Sequence, residues 1–245
     1  MAIPWFLAMT GAEFTAAETL PEHVAWMACH FSPYGNGLTN LPASLPPDSL
    51  LILNDRIPIC GHDPDRIAAQ LRHAVDTLRC CGILLDFQHA HVEETARLCA
   101  ALTAALPCPV AVSDCYAAPL DCPVFLSPCS HHVPLDQHIL PWQGRKLWLD
   151  LASNFESILL TKDRSQITSL PFGELPESGH ADSLLHCHYS IETSTDSVLF
   201  TLWRTWQDMA AIAETAEALG VETLVGLYSE CHGNCTSGGE DRSVH

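Results

Sequence analysis

Short apolar runs recur along the chain, each closed by a glycine, a proline or an acidic residue. Trp5 to Thr10 predicts a first strand. His23 to Phe31 predicts a second, ended by the turn cluster Pro33-Tyr34-Gly35-Asn36-Gly37. Three prolines between Leu38 and Asp48 exclude a regular helix there. Ser49 to Asp55 predicts a third strand. Gly82 to Phe87 is a fourth, and its continuous apolar run is that of a strand buried on both faces. Pro109 to Asp114 and Pro123 to Ser127 predict a fifth and a sixth, with so short a loop between them that one covering helix is absent or reduced. Ser197 to Trp203 predicts a seventh strand and Thr223 to Tyr228 an eighth.

Helical spacing fills several of the gaps. Asp63 and Pro64 open a helix as N-cap and first helical residue, and Ile67, Leu71, Ala74, Val75 and Leu78 share one face. His91 to Leu106 predicts another, with Val92, Ala96, Cys99, Leu102 and Leu106 as its stripe. Thr205-Trp206-Gln207-Asp208 has the form of a capping box with Asp in the usual Glu or Gln position. Met209, Ile212, Ala213, Ala216 and Leu219 follow as a stripe, closed by Gly220.

Residues 142–196 break this rhythm. Lys146 to Leu151 alternates, residues 157–170 read as a hairpin with its tip at Lys162 to Ser165, and Leu184 to Ile191 reads as another strand. The pattern predicts an α/β fold: an irregular (β/α)8 TIM-type barrel over residues 1–245, with an inserted antiparallel β segment at 142–196 and a frayed tail at 231–245. The rival, a doubly wound open sheet, calls for a glycine-rich phosphate loop after an early strand, and the sequence has none.

The length of 245 residues suits one such barrel, and 47% hydrophobic residues supply a large core. Lys and Arg total 11 against 29 Asp and Glu, a formal net charge of -18. That balance opposes binding to nucleic acid or to anionic membranes. The start, Met1-Ala2-Ile3-Pro4-Trp5, lacks the basic residues of a signal peptide, and no apolar run reaches the ~20 residues of a membrane span. Twelve scattered cysteines then read as buried thiols in a reducing cytoplasm.

In a barrel, strand ends converge on one mouth, where active sites are built. Those ends carry Glu13, Asp55-Arg56, Asp86-Phe87-Gln88, Asp114-Cys115-Tyr116, Trp203-Arg204 and Tyr228-Ser229-Glu230, with Tyr34 just after the second strand. Carboxylates beside aromatics suit a sugar, whose ring faces stack while its hydroxyls hydrogen-bond. Asp86 with Asp114 or Glu230 is a candidate pair for glycosidic chemistry. Tyr34, Asp55, Arg56, Tyr116, Trp203, Arg204 and Tyr228 are candidate ligand contacts. The competing reading is structural: the acids pair with Arg56 and Arg204 and pin the rim, or Asp86 caps a loop.

The segment Cys81-Gly82-Ile83-Leu84-Leu85-Asp86-Phe87-Gln88 resembles the fourth-strand motif of the chitinase-like glycoside hydrolases of family 18. Their pattern is Asp-Gly-x-Asp-x-Asp-Phe/Trp-Glu, on a (β/α)8 barrel that often carries an inserted small domain. Cys81 stands where the first Asp is expected, Leu84 at the second, Asp86 at the third and Gln88 at the acid. The resemblance implies a carbohydrate-related barrel. An amide at position 88 cannot donate and regain a proton, so it also implies a protein that binds sugar without ordinary hydrolase activity.

The alternative is a metal-dependent hydrolase on the same barrel. His186-x-His188 would present two imidazoles on one strand face, and His131-His132 and Cys231-His232-x-x-Cys235 add further ligand types. The histidine pair lies in the insertion, where such hydrolases do not carry it, and the cysteine cluster offers three ligands against the four of a structural zinc site. No Gly-x-Ser-x-Gly elbow is present. The sequence therefore predicts no metal and no cofactor, and a small-molecule or oligosaccharide ligand as partner.

Overall fold

The computed structural model describes residues 3–35, 37–57, 61–89, 92–169 and 179–231. The strands run, in chain order, β1 (Trp5–Met9), β2 (Val24–Phe31), β3 (Leu38–Thr39), β4 (Leu50–Asn54), β5 (Gly82–Asp86), β6 (Val110–Ser113), β7 (Val124–Leu126) and β8 (Leu147–Leu151). Five more follow, β9 (Glu156–Thr161), β10 (Ser165–Ser169), β11 (His180–Asp182), β12 (Cys187–Thr193) and β13 (Ser197–Trp203), before β14 (Val221–Leu227). The helices are α1 (Gly11–Ala16), α2 (Pro64–Leu78), α3 (Glu93–Ala105), α4 (Asp114–Ala117), α5 (Leu135–Ile139), α6 (Trp206–Ala218) and α7 (Tyr228–Cys231). The chain divides into two compact units, one drawn from Met1–Ser127, Gly144–Asp150 and Gly220–His245, the other from Pro128–Gln143 and Leu151–Leu219. No helix among the described residues is long and apolar enough to cross a membrane.

The first unit is the barrel. Its strands follow one another as β1, β14, β8, β7, β6, β5, β4 and β2, and β1 pairs with β2 to close the ring. The pairing is parallel, for example Leu84 opposite Ala111 and Phe125 opposite Trp148. Alternate residues point inward. Phe6, Ala8, Ala25, Leu50, Ile52, Leu84, Ala111, Phe125, Trp148 and Val225 fill the interior, so the barrel is a packed core and not a pore. Gly82 is a condition of that packing. A Cβ there would lie 3.1 Å from the Pro109 carbonyl oxygen and 3.4 Å from the Trp148 ring.

The helix signals of α2 hold. Asp63 accepts from the Asp65 N–H, Pro64 sits in the first turn, and all five expected stripe residues are buried. In α3 the stripe holds at Cys99, Leu102 and Leu106 and departs at its start. Val92 is the N-cap and 49% exposed, and the buried residues are Thr95, Leu98, Cys99 and Leu102. Both sets satisfy the same spacing, and the methyl of Thr95, hidden by its hydroxyl in a polarity reading, completes the true face. Between β6 and β7 the covering helix is reduced to the four residues of α4.

Two strands change places relative to the sequence expectation. Lys146 to Leu151, expected in the insertion, supplies the seventh barrel strand β8, parallel to β7. Ser197 to Trp203, expected as that barrel strand, is β13 of the second unit, where it pairs antiparallel with β9 and β12. Both runs are apolar and five to seven residues long, and periodicity does not name a pairing partner. Burial separates them: Leu147, Trp148, Leu149 and Leu151 are all buried, whereas the first four residues of β13 are only partly so.

The second unit holds the five-stranded antiparallel sheet, ordered β10-β9-β13-β12-β11. The expected hairpin is β9–β10, turning at residues 162–164. The strand expected at Leu184 to Ile191 starts only at Cys187, because His186 takes a left-handed backbone with φ 48°. Thr205 and Asp208 form the capping box of α6, each side chain bonded to the other's backbone N–H.

Candidate functional site

Strand alternation that fills the barrel also decorates its mouth. Two residues beyond Ile52, Leu84 and Trp148 come Asn54, Asp86 and Asp150, so all three take the next inward position. Together with Ala8, Met27, Phe125 and the β14 residues Val225 to Leu227 they line a cavity of about 60 Å³. That volume admits water-sized groups and not a sugar ring. A second cavity, of about 170 Å³, is lined by Phe87, Gln88, Ser113, Asp114, Cys115, Phe125 and Ser127. Phe125 borders both.

Asp86 and Gln88 connect the two cavities chemically. The Gln88 amide donates to Asp86 Oδ1 at 2.7 Å. Burial pushes the Asp86 carboxyl up from the usual carboxylate range, the Gln88 hydrogen bond works against that rise, and the charge of Asp55 adds to it. Asp150 is pushed further, up to about 8, first by burial and then by the charges of Asp86 and Glu230. Asp150 therefore keeps its proton to a higher pH than an ordinary carboxyl does, and in that form it can donate. Asp114 opens α4 and accepts from the Ser127 hydroxyl at 3.4 Å. Cys115 beside it is pushed up to about 11 by burial and by the Asp114 charge, so its thiol stays neutral.

The backbone beneath these groups is held by buried polar contacts. Ser113 Oγ donates to the Leu85 carbonyl and accepts from the Phe87 N–H. Asp55 is buried and accepts from both the backbone N–H and Nδ1 of His89, at 2.9 and 2.7 Å. Asn54 Oδ1 contacts His30 Nδ1 at 3.0 Å and accepts from the Arg56 N–H. Asp55 and Asn54 thus secure the chain on either side of the mouth.

The structure brings Asp86, Gln88 and Asp114 to these adjoining cavities, and Glu230 acts on the carboxyl of Asp150. The other sequence candidates stand elsewhere or are already engaged. Tyr34 is 84% exposed in the turn after β2, and Arg56 is exposed. Tyr116 is buried; its hydroxyl accepts from the Val92 N–H and donates to the His89 carbonyl. Tyr228 is buried, which raises its phenol, with Glu13 adding to the effect. Glu13 itself belongs to the capping box of α1 with Thr10. Trp203 and Arg204 end an antiparallel strand of the second unit and no barrel strand. Arg204 is buried there, donating to the carbonyls of Cys129, Ser130 and His186. Asp150 is the residue that sequence reading missed. Its signal was an acid placed two residues after an inward Trp in an otherwise apolar strand.

The metal alternative loses its leading pair. With His186 outside the strand, the two imidazoles part: His188 Nδ1 meets Asp208 at 2.8 Å, and His186 Nε2 faces the Thr215 hydroxyl at 3.4 Å. His131 is fully buried with Nδ1 3.4 Å from Glu156. Among the described residues no group of three or more His, Cys, Asp or Glu is placed to hold a metal ion. His232 and Cys235, and with them the expected tail, lie outside the described residues.

No family model and no curated protein matches the chain in sequence. Solved structures match its fold. A chitinase from Chromobacterium violaceum is 12% identical, with a TM-score of 0.60 over 94% of this chain and 95% of that one. A GH18 chitinase from Cycas revoluta, solved as a mutant in complex with (GlcNAc)4, is 10% identical, with a TM-score of 0.57 over 91% of this chain and 94% of that one. The spore cortex-lytic enzyme SleL of Bacillus megaterium is 7% identical, with a TM-score of 0.57 over 91% of this chain and 70% of that one. At these identities the likeness is one of architecture, and in architecture this chain is a (β/α)8 barrel like those of these proteins.

Proposed function

We propose that the protein binds a carbohydrate at the carboxyl-terminal mouth of the barrel, around Asp86, Gln88 and Asp114, without ordinary glycosidase chemistry. The observation that carries this reading is the Gln88–Asp86 hydrogen bond at the end of the fourth barrel strand. In the family 18 pattern that the segment resembles, an acid stands at the position of Gln88. Here the position is an amide, which can orient Asp86 and contact a hydroxyl but has no proton to cycle. The Cycas chitinase, of the same architecture, is described with (GlcNAc)4, which makes chito-oligosaccharides the first ligands to try.

Titration calorimetry with (GlcNAc)4, together with a turnover assay, tests the proposal. Wild type should bind without appreciable hydrolysis. Asp86→Asn should weaken binding at least tenfold while the melting temperature stays within a few degrees. If Asp86 instead caps structure, the same change lowers stability by ~1 kcal/mol and leaves binding alone. Rapid hydrolysis by wild type, unaffected by Asp86→Asn, would overturn the reading.

A further inference from the structure

Asp150 has unusual surroundings. It shares the 60 Å³ cavity with Asp86, and the cavity lining contains no Lys, Arg or His. β1 contributes Ala8, β2 Met27, β7 Phe125 and β14 Val225 to Leu227, none of which titrates. β4 contributes Asn54, whose amide oxygen is held by His30. Beyond the lining, Glu230 acts on Asp150, Asp55 acts on Asp86, and Gln88 donates to Asp86. The neutral thiol of Cys115 lies close enough to sense the charge of Asp86. Among the described residues, the ionisable groups named as acting on the pair are all acidic, and the cavity lining holds no cation. Two carboxyl groups facing one such space cannot both ionise at low cost.

We infer that Asp86 and Asp150 work as one carboxyl pair holding a single proton, with Asp150 the positioning residue that keeps Asp86 in its ligand-binding state. The inference rests on the carbohydrate reading for its functional part. A pair with one proton offers one donor and one acceptor, the complement of a neutral sugar hydroxyl, which both donates and accepts. With both groups ionised, the cavity holds two acceptors and a second negative charge. With both protonated, Asp86 no longer offers a carboxylate to the ligand. Binding should thus need the singly protonated state and fail on either side of it, and the two limbs belong to the pair rather than to one residue.

Two measurements on the intact protein separate this inference from the function it rests on. The first uses no ligand: the side-chain carboxyl carbons of Asp86 and Asp150 are followed by NMR across pH 3 to 10. The expected result is a two-step titration felt at both carbons, with the Asp86 curve reduced to one step in Asp150→Asn. An Asp86 curve that is the same in wild type and Asp150→Asn overturns the inference whatever the ligand proves to be. The second follows (GlcNAc)4 binding against pH. Wild-type affinity should fall about tenfold per pH unit above the upper step, as expected when one proton must be retained. Asp150→Asn, which keeps a neutral donor, should lose that alkaline limb and retain the acid limb set by Asp86. A merely structural Asp150 would change the melting temperature and leave the binding profile's shape untouched, and that outcome counts against the inference. Coupled titration with no glycan binding at any pH would instead sink the carbohydrate reading and leave the pair intact.

Discussion

Gln88 Nε2 donates to Asp86 Oδ1 at 2.7 Å, so the amide that stands where the resembled family 18 pattern has an acid is already committed to the carboxylate two residues before it. That contact makes Gln88→Glu informative. A carboxyl in place of the amide would face Asp86 at the same short range, and the two would share a proton. One of them would be protonated near neutral pH, which is what a general acid requires. Proton transfer by a positioned acid is worth about 100 to 10,000-fold in rate. Leu84, where the resembled pattern has its second carboxylate, should hold the gain toward the lower end. We expect Gln88→Glu to turn over a fluorogenic chito-oligosaccharide at least tenfold faster than wild type between pH 5 and 7. The variant matching wild type in rate, while still binding (GlcNAc)4, would show that the amide is not what limits hydrolysis.

Asp150→Asn should stabilise the protein in alkali. The folded carboxyl is raised from the usual 3.8 to about 8, so the native state holds this proton more tightly than the unfolded chain does. Its contribution is fully present below pH ~4 and is lost as pH climbs from there through 8. A tenfold difference in proton affinity between the two states corresponds to about 1.4 kcal/mol. The near-isosteric amide has no proton to lose. Urea unfolding at pH 5 and pH 9 should show wild type weakening between the two by more than Asp150→Asn does, by about 1 kcal/mol or more. Parallel pH dependences in the two proteins would mean that Asp150 ionises freely in the fold.

Much of the fold is legible in the residues, and the illegible part has a physical reason. The ends of α2 and α6 are written locally: Asp63-Pro64 and the Thr205/Asp208 box satisfy the orphan N–H groups of their own first turns, so no distant partner is needed to find them. The fourth barrel strand is equally plain, because a glycine and an acid bracket a run buried on both faces. Strand partners are another matter. Leu147 to Leu151 and Ser197 to Trp203 exchange their expected sheets because pairing is a non-local choice that neither run encodes. The error carried Asp150 with it. Read in an alternating strand of the insertion, its polarity looks like solvent exposure; placed after an inward Trp148 in a barrel strand, the same residue lines the lumen. The rim candidates Trp203 and Arg204 moved for the same reason.

Asp55 should be a stabilising residue with an effect on binding at one remove. It is buried, and one of its oxygens serves both the backbone N–H and the imidazole of His89, next to Gln88. Asp55→Ala removes the acceptor of that N–H, at a net cost of about 0.5 to 1.5 kcal/mol. Asp55→Asn keeps an oxygen acceptor and should recover part of the loss. Because His89 follows Gln88 directly, the alanine variant should also weaken (GlcNAc)4 binding a few-fold. Chemical denaturation of the three proteins checks the ranking wild type, Asn, Ala; equal stabilities would remove Asp55 from the support of the mouth.

The second unit carries its own pH sensitivity, in the acid direction. His131 is fully buried, its Nε2 has no hydrogen-bond partner among the described residues, and its Nδ1 lies 3.4 Å from Glu156. Burial and the nearby Arg204 charge push its imidazole down to about 4; Glu156 pulls the other way and His132 adds to the lowering. A base whose folded value lies below its unfolded value binds protons mainly in the unfolded chain across that window. Stability is therefore full above about pH 6.5 and declines as the pH falls through 6.5 toward 4, by up to ~3 kcal/mol for a lowering of this size. Protonation would set a second cation near Arg204, whose guanidinium holds the carbonyls of Cys129 and Ser130, the two residues just before His131. His131→Asn removes the titrating group while keeping a neutral amide of similar reach. It should unfold more readily than wild type at pH 7.5, through lost packing, and show a shallower loss between pH 6.5 and 4.5. Thermal melts at half-unit pH steps resolve the two slopes. If wild type and His131→Asn lose stability in parallel over that range, the acid sensitivity of this unit arises from carboxylates and not from His131.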